Sequence, residues 1–359
     1  MGLPAERIVS AYRNSKILVT GGLGFIGSNL ALRLARAGAR VTVVDSALPG
    51  CGANRHNIAA AGGDLRVIVA DIADAASFAA DIRGCSVIFN LAGEVSHIHS
   101  MHRPCRDAAL NSTAQLRFLE ECARQAPGVR VVYASTRQIY GAPQYLPVDE
   151  RHPVQPVDFN GVHKYAATAY HLLWSSMGRI DGRVLCLTNV YGPRMALHLT
   201  GQGFLGNFVR RALLHQPIEV FGDGRQSRDP VYVDDAVDAF LLAGASQAPH
   251  SRLWNAGGPA TLPLARIASI ISAAAGIAGP VFRPFPEEQK GIDIGSYSSD
   301  STLIRLELGW QPAVAFEQGV RRTLEYFQRE RLHYLRAEDW KPERALQEVP
   351  VLGQAVPAA

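Results

Sequence analysis

The chain has 359 residues, 47% apolar and 19% charged. That suits one large α/β unit or two unequal domains around a substantial core, and it excludes global disorder. The net charge of +4 is spread thinly, with no Lys/Arg block of the kind that follows nucleic acid.

From the N-terminus, short apolar runs alternate with helical patterns. "KILVTGG" predicts a strand and "GSNLALRLARAG" a helix ending at Gly38. "RVTVVD" and "LRVIVADI" are strands, "SFAADIRG" a helix, "SVIFNLAG" a strand and "NSTAQLRFLEECARQAPG" a helix. "VRVVYAST" is a strand, "KYAATAYHLLWSSMG" a helix and "RVLCLTNVYG" a strand. Continuous Val/Ile/Leu strands separated by helices predict a doubly wound parallel sheet of the Rossmann type. The expected boundaries are a dinucleotide-binding domain at 14–193 and a smaller α/β substrate lobe at 194–336, with interleaving of the two left open. A Pro- and Ala-rich tail follows at 337–359. A last helix is expected over 316–335.

The N-terminal stretch lacks the apolar run of a signal peptide, and no segment is long and apolar enough to span a bilayer. The five cysteines have neither metal-ligand nor CxxC spacing, which predicts reduced thiols in a cytoplasmic protein and no metal site.

"ILVTGGLGFIGSNL" places Gly21, Gly24 and Gly27 between a strand and a helix starting at Phe25 and Ile26. The first glycine permits a tight turn, the second lets backbone approach a pyrophosphate, and the third allows close helix–strand packing. The phosphates would rest on the helix N-terminus. Asp45 ends the next strand, where a carboxylate accepts both ribose hydroxyls and repels a 2′-phosphate, favouring NAD over NADP. Asp71, with Ile72, follows the third strand within reach of the adenine, and a helix N-cap is the competing role for that aspartate. Leu91 and Ala92, ahead of Gly93, end the fourth strand on the cofactor side.

With these pieces in order, followed by "YASTRQIYG", Lys164, "LTNVYGPR", "FGDGRQSRDPVYVDDAVDAF", "NAGG" and "LGWQP", the chain resembles the extended short-chain dehydrogenase/reductases. It is most similar there to the nucleotide-sugar epimerase/dehydratase family, over roughly residues 16 to 330. The resemblance implies tightly bound NAD, an NDP-sugar substrate and a homodimer built on the helices "STAQLRFLEECARQ" and "KYAATAYHLLWSSM", with Tyr170, Leu173 and Trp174 at the interface or in the core. It also implies a Ser/Thr, a Tyr and a Lys acting together, with the tyrosine shuttling a proton while hydride goes to NAD. By position the first is Thr136 and the last Lys164. The tyrosine position holds Asn160.

An amide has no useful pKa and is no general base. Three readings stay open. Another side chain takes the proton, with Glu94 and His97 in "GEVSHIHSMH" as the first candidates and His163 and Tyr165 behind them. Alternatively, Lys164, or a water held by Thr136 and Asn160, takes it. In the third reading redox chemistry is lost and only binding remains. For His97, His99 and His102 the plainer alternative is a solvated or cap-forming loop.

In the dehydratases of the family an acid pair follows the threonine. Arg137 and Gln138 stand there instead, which disfavours 4,6-dehydration. Arg137 is suited to a carboxylate or phosphate, opening a uronic-acid sugar, with a structural salt bridge as the alternative. By resemblance Asn189, Arg228 and Lys290 contact the substrate diphosphate, a set of cations and amides suited to that group. Asp234 and Asp235 are read as an N-cap rather than a metal pair. The expected reaction is C4 epimerisation through a transient keto sugar, with related NAD-dependent oxidation or decarboxylation, or sugar-nucleotide binding alone, as alternatives.

Overall fold

The computed structural model describes residues 10–61, 65–199, 203–248, 250–286 and 291–335. Its centre is a seven-stranded sheet: β1 (Lys16–Thr20), β2 (Arg40–Asp45), β3 (Leu65–Val69), β4 (Val87–Asn90), β5 (Arg130–Thr136), β6 (Asp181–Leu187) and β7 (Arg252–Ala256). The order across the sheet is β3-β2-β1-β4-β5-β6-β7, and every pairing is parallel. The order reverses between β1 and β4, so a crevice opens at the carboxyl ends of those strands, as open α/β sheets place their ligands.

The helices are α1 (Phe25–Arg36), α2 (His97–His102), α3 (Pro104–Ala108), α4 (Ala114–Gln125), α5 (Phe159–Ser176), α6 (Phe204–Leu213), α7 (Val233–Ala245), α8 (Leu264–Ala274), α9 (Thr302–Leu308) and α10 (Phe316–Glu330). Strand alternation decides which helix covers which face. Ile17, Val19, Val41 and Val43 pack with Leu30 and Leu34 of α1 and Phe240 of α7. Leu18, Val44, Ile88 and Val131 point the other way, against Phe118, Leu119 and Cys122 of α4. Each such fully buried Leu or Phe contributes roughly 1.5–3 kcal/mol.

Several local expectations are corrected. The segment read as the helix "SFAADIRG" is a 3-10 stretch, Ile72–Phe78, followed by a single α turn, Ala79–Ile82. "RVLCLTNVYG" is broken: β6 ends at Leu187, and a separate two-residue strand, Val190–Tyr191, pairs with Val231–Tyr232. The last helix stops at Glu330 and passes into a 3-10 turn at Arg331–His333. Asp234 and Asp235 do not cap α7, whose N-cap is Tyr232. Asp235 instead accepts the Ala313 and Val314 N–H groups at 3.0 Å, tying the approach to α10 onto α7.

A clean division at residue 193 is not observed. β7 and α7, both from the second half of the chain, complete the large sheet and its cover. The remainder of the second half forms a small lobe with strand pairs Ser227–Arg228 with Leu262–Pro263 and Glu219–Phe221 with Val281–Arg283. Among the described residues no helix is long and apolar enough to cross a membrane. The tail at 337–359 and Lys290 lie outside the described residues.

Candidate active site

One cleft follows the carboxyl edge of the sheet. At one end it is lined by Gly21, Gly24, Phe25, Ile26, Gly27, Asp45, Asp71 and Ile72. It continues past Leu91, Ala92 and Gly93 to Thr136, Arg137, Gln138, His97, Asn160 and Lys164, and on to Thr188 and Asn189.

The glycine turn is built for close approach. Gly21 has φ +66°, and a Cβ there would meet the Leu91 carbonyl at 2.6 Å. A Cβ on Gly27 would run into the Gly21 carbonyl. Gly24 is the N-cap of α1 and has no side chain to satisfy that helix end, so the free N–H groups face the cleft as an anion site. Asp45 accepts from Leu23 N–H at 3.0 Å and Ala47 N–H at 2.9 Å, one bond per oxygen. Burial raises its pKa above the ordinary carboxylate value, and those two N–H groups oppose the rise. Each oxygen keeps a lone pair for a ribose hydroxyl. This cradle fits a dinucleotide. Asp71 is the N-cap of the following 3-10 stretch, accepting from Ala73 N–H at 2.8 Å, and lines the cleft from that position.

Below the opposite end runs a buried polar chain that the sequence does not announce. Thr20 Oγ1 donates to Asn90 Oδ1 at 2.7 Å, Asn90 donates to Gln115 at 2.7 Å, and His171 Nε2 stands 3.2 Å from the Asn90 amide. Burial pushes the His171 pKa down to about 4, with Lys164 adding repulsion and the Ala167 carbonyl opposing. The ring is therefore neutral, donating from Nδ1 to Ala167 and accepting at Nε2. The members of this chain, Thr20, Asn90, Gln115 and His171, lie on β1, β4, α4 and α5, so only the fold brings them together.

Lys164 is buried on α5, 3.3 Å from the Ala134 carbonyl and 5.1 Å above the Tyr133 ring. Burial lowers its pKa to about 8, partly offset by Asp107. A Cβ on Gly93 would lie 3.1 Å from Lys164 Nζ and 2.5 Å from Asn111 Oδ1, so the strand end must be glycine for the lysine to reach the cleft.

Asn160 lines the cleft, but its amide nitrogen is committed elsewhere. It donates to the Glu94 carbonyl and to Asp107 Oδ2, both at 2.9 Å. Asp107 is itself buried and receives His163 Nδ1 at 2.7 Å on its other oxygen. Glu94 is not among the cleft-lining residues; its carboxylate faces His99 at 3.4 Å and Arg106 at 3.7 Å. His97 does line the cleft, and its Nδ1 is 2.6 Å from Asp158. Tyr165 is exposed. Sequence reading overlooked Asp107 and Asp158. Asp158 carries a local signal, because it is the N-cap of α5 and accepts Gly161 N–H at 2.7 Å; Asp107 carries none.

On the substrate side, Thr136 caps the 3-10 turn Arg137–Tyr140 and its hydroxyl bonds the Gln138 side chain at 3.2 Å. Arg137 is buried, 5.1 Å over the Tyr297 ring. No carboxylate lies within ion-pair distance of it among the described residues, so the expected alternative of a structural salt bridge is not observed. Burial lowers its pKa, while Tyr297, Asp229 and Asp158 oppose the shift. Asn189 Oδ1 is buried, open to the cleft wall, and has no hydrogen-bond partner among the described residues. Arg228 is buried and donates to the Ser227 and Gly295 carbonyls at 2.8 and 2.5 Å; it is not among the cleft-lining residues.

Comparison with known proteins agrees with this geometry. The model of the NAD dependent epimerase/dehydratase family matches residues 17–257. The chain is 34% identical over 320 residues to a UDP-glucose 4-epimerase of Mycolicibacterium smegmatis, covering 87% of this chain and 98% of the relative. It is 29% identical over 336 residues to UDP-glucuronic acid decarboxylase 1 of Xenopus tropicalis, covering 92% of this chain and 76% of that one. The crystal structure of a UDP-glucose 4-epimerase of Thermotoga maritima with UDP-glucose superposes with a TM-score of 0.79 at 29% identity, covering 88% of this chain and 99% of that chain. With its glycine turn, Asp45 and the buried Lys164 lining one cleft, the chain belongs to the NAD dependent epimerase/dehydratase family.

Proposed function

We propose that the protein is a nucleotide-sugar epimerase that inverts C4 through a transient keto sugar. The observation that carries this reading is the distribution of acids in the cleft. The lining carboxylates, Asp45 and Asp71, both stand at the adenine end, while the sugar end holds Thr136, Arg137, Gln138, Asn160 and Lys164. Reversible loss and return of a hydride needs no carboxylate pair there, whereas elimination of water does. The UDP-glucose 4-epimerase relative supports the same reaction.

The family cofactor is NAD. When bound, it supplies a reversible hydride acceptor. Gly21, Gly24, Gly27 and Asp45 would hold its phosphates and adenine-side ribose, and Lys164 would bond the nicotinamide ribose and keep positive charge beside the reacting carbon. Thr136 would position the sugar hydroxyl. Asn189, whose Oδ1 has no partner among the described residues, would serve the diphosphate. α4 and α5 would form the subunit contact of a homodimer, with Phe159, Val162 and Leu173 exposed along α5.

A second reading is favoured by Arg137. A buried guanidinium at the sugar end with no carboxylate partner is a receptor for an anionic group, and a decarboxylase of UDP-glucuronic acid is among the relatives. On that reading the sugar is a uronic acid, oxidised with loss of carbon dioxide.

Purified protein incubated with UDP-, dTDP-, GDP- and CDP-sugars, including UDP-glucuronate, tests both readings. A C4 epimer with no net reduced nicotinamide supports the first. Net reduced nicotinamide, or a pentose product, supports the second. Binding without turnover overturns both.

A further inference from the structure

Resting on the epimerase reading, we propose that His97, oriented by Asp158, is the catalytic acid and base that replaces the missing tyrosine. The side chain at position 160 is unavailable for that work, since its amide nitrogen is held by Glu94 O and Asp107. His97 also lines the cleft and is bonded to Asp158, the N-cap of α5.

His97 opens α2, whose N-cap Ser96 accepts the His99 N–H at 3.2 Å. Its Nδ1 lies 2.6 Å from Asp158 Oδ2, and the side chains are 33% and 2% exposed respectively. The other Asp158 oxygen accepts Gly161 N–H, so the carboxylate is anchored at both ends. Burial would raise the Asp158 pKa, but the His97 hydrogen bond and charge, the Gly161 N–H and Arg137 hold it below the ordinary value. An ionised carboxylate accepting from Nδ1–H leaves Nε2 as the basic nitrogen of the ring.

Gln138 shows what the space beside that ring accommodates. Its side-chain oxygen accepts from Thr136 Oγ1, and its amide nitrogen contacts both nitrogens of the His97 imidazole. A sugar hydroxyl taking the place of that amide would accept from Thr136 and donate to His97. In the oxidative half-reaction the hydroxyl proton passes to His97 Nε2 as the carbinol C–H bond breaks. The hydride pair leaves to the nicotinamide dinucleotide, and the C–O bond becomes a carbonyl. Asp158 balances the imidazolium. Return of hydride to the opposite face, with return of the proton from His97, gives the epimeric alcohol. The other charged groups near this pair are Lys164, which lines the same cleft, Arg137, which acts on Asp158, and Glu94, paired with His99 of α2 and Arg106 of α3.

The test uses His97→Ala and Asp158→Asn, the latter keeping an oxygen for the α5 cap. With native protein active on an NDP-sugar, His97→Ala should lose about a hundredfold or more in turnover. Its affinities for NAD and NDP-sugar by calorimetry should stay within about threefold, and added imidazole should restore part of the rate. Turnover within threefold of native, or no rescue by imidazole while binding is intact, overturns the proposal. Nitrogen NMR of the histidines, in protein without substrate, is independent of turnover. The expected result is a His97 ring protonated at Nδ1 in native protein that loses this tautomer preference in Asp158→Asn; the same tautomer in both proteins overturns the dyad. If native protein turns over no sugar, the epimerase reading fails and the NMR result still decides the dyad.

Discussion

Asn160 Nδ2 donates to Asp107 Oδ2 across 2.9 Å, and both groups are buried. Asn160 therefore holds α3 to α5. Asn160→Ala should leave a buried carboxylate and the Glu94 carbonyl each short of a donor, costing about 1–3 kcal/mol. Urea unfolding followed by circular dichroism checks this. An unchanged midpoint would show that water replaces the amide without loss. Asn160→Tyr should destabilise as well and should not raise turnover, because the phenol finds the space filled by the Asp107–His163 pair.

The glycine cradle makes a sharper prediction. A methyl group at Gly27 runs into the Gly21 carbonyl, which is rigid backbone. Gly27→Ala should push α1 away from the turn and weaken NAD binding about tenfold or more. Calorimetric titration of NAD measures it, and an affinity equal to native would mean that α1 does not carry the pyrophosphate.

Cofactor choice should follow Asp45. Its carboxylate keeps a lone pair on each oxygen while taking Leu23 and Ala47 N–H. Asp45→Asn retains one acceptor and removes the charge facing a 2′-phosphate. The preference for NAD over NADP should narrow by about tenfold, the size of a partly screened charge interaction. Parallel titrations with the two dinucleotides check this.

Lys164 gives a pH-dependent prediction. Its pKa falls from 10.5 to about 8 because burial penalises the ammonium. The folded protein therefore binds fewer protons than the unfolded chain between those values, so stability rises with pH across that window. Below pH 8 the penalty is complete, about 3 kcal/mol. Lys164→Met should be more stable than native at pH 7 and lose that advantage as pH climbs to 10.5, while turnover disappears. Denaturant melts at pH 7 and pH 10 measure the difference, and a constant gap would sink the assignment.

The exposed apolar side chains along α5 should be covered by a second subunit. Leu173 is 57% exposed, and Leu173→Glu should shift the protein from dimer to monomer in sedimentation velocity. A native protein that sediments as a monomer removes the basis for this prediction.

The glycine turn and the position of Asp45 were legible because their geometry is local. Gly21, Gly24 and Gly27 answer to turn geometry and helix approach within one βα unit, and Asp45 is placed by the end of a strand. Continuous Val/Ile/Leu runs likewise specified a parallel sheet covered on both faces. Where reading failed, a local pattern had two outcomes that only contacts decide. Asp235 resembled a cap and instead receives Ala313 and Val314. Glu94 sat beside His97 in one motif, yet the chain turns its carboxylate toward Arg106 and its carbonyl toward Asn160.

By itself the sequence determined the parallel sheet, the glycine turn and the strand end that carries Asp45, since each follows from residue type and spacing over a few residues. The tertiary structure decided which polar side chains meet at the sheet edge. Asp158 and His97 are 61 residues apart, Asp107 and Asn160 53 apart, and Asn90 and His171 81 apart. No periodicity spans such separations. Hydrogen bonds between buried polar groups are selected by where packed elements meet, and that meeting exists only once the sheet has brought its carboxyl ends to one edge.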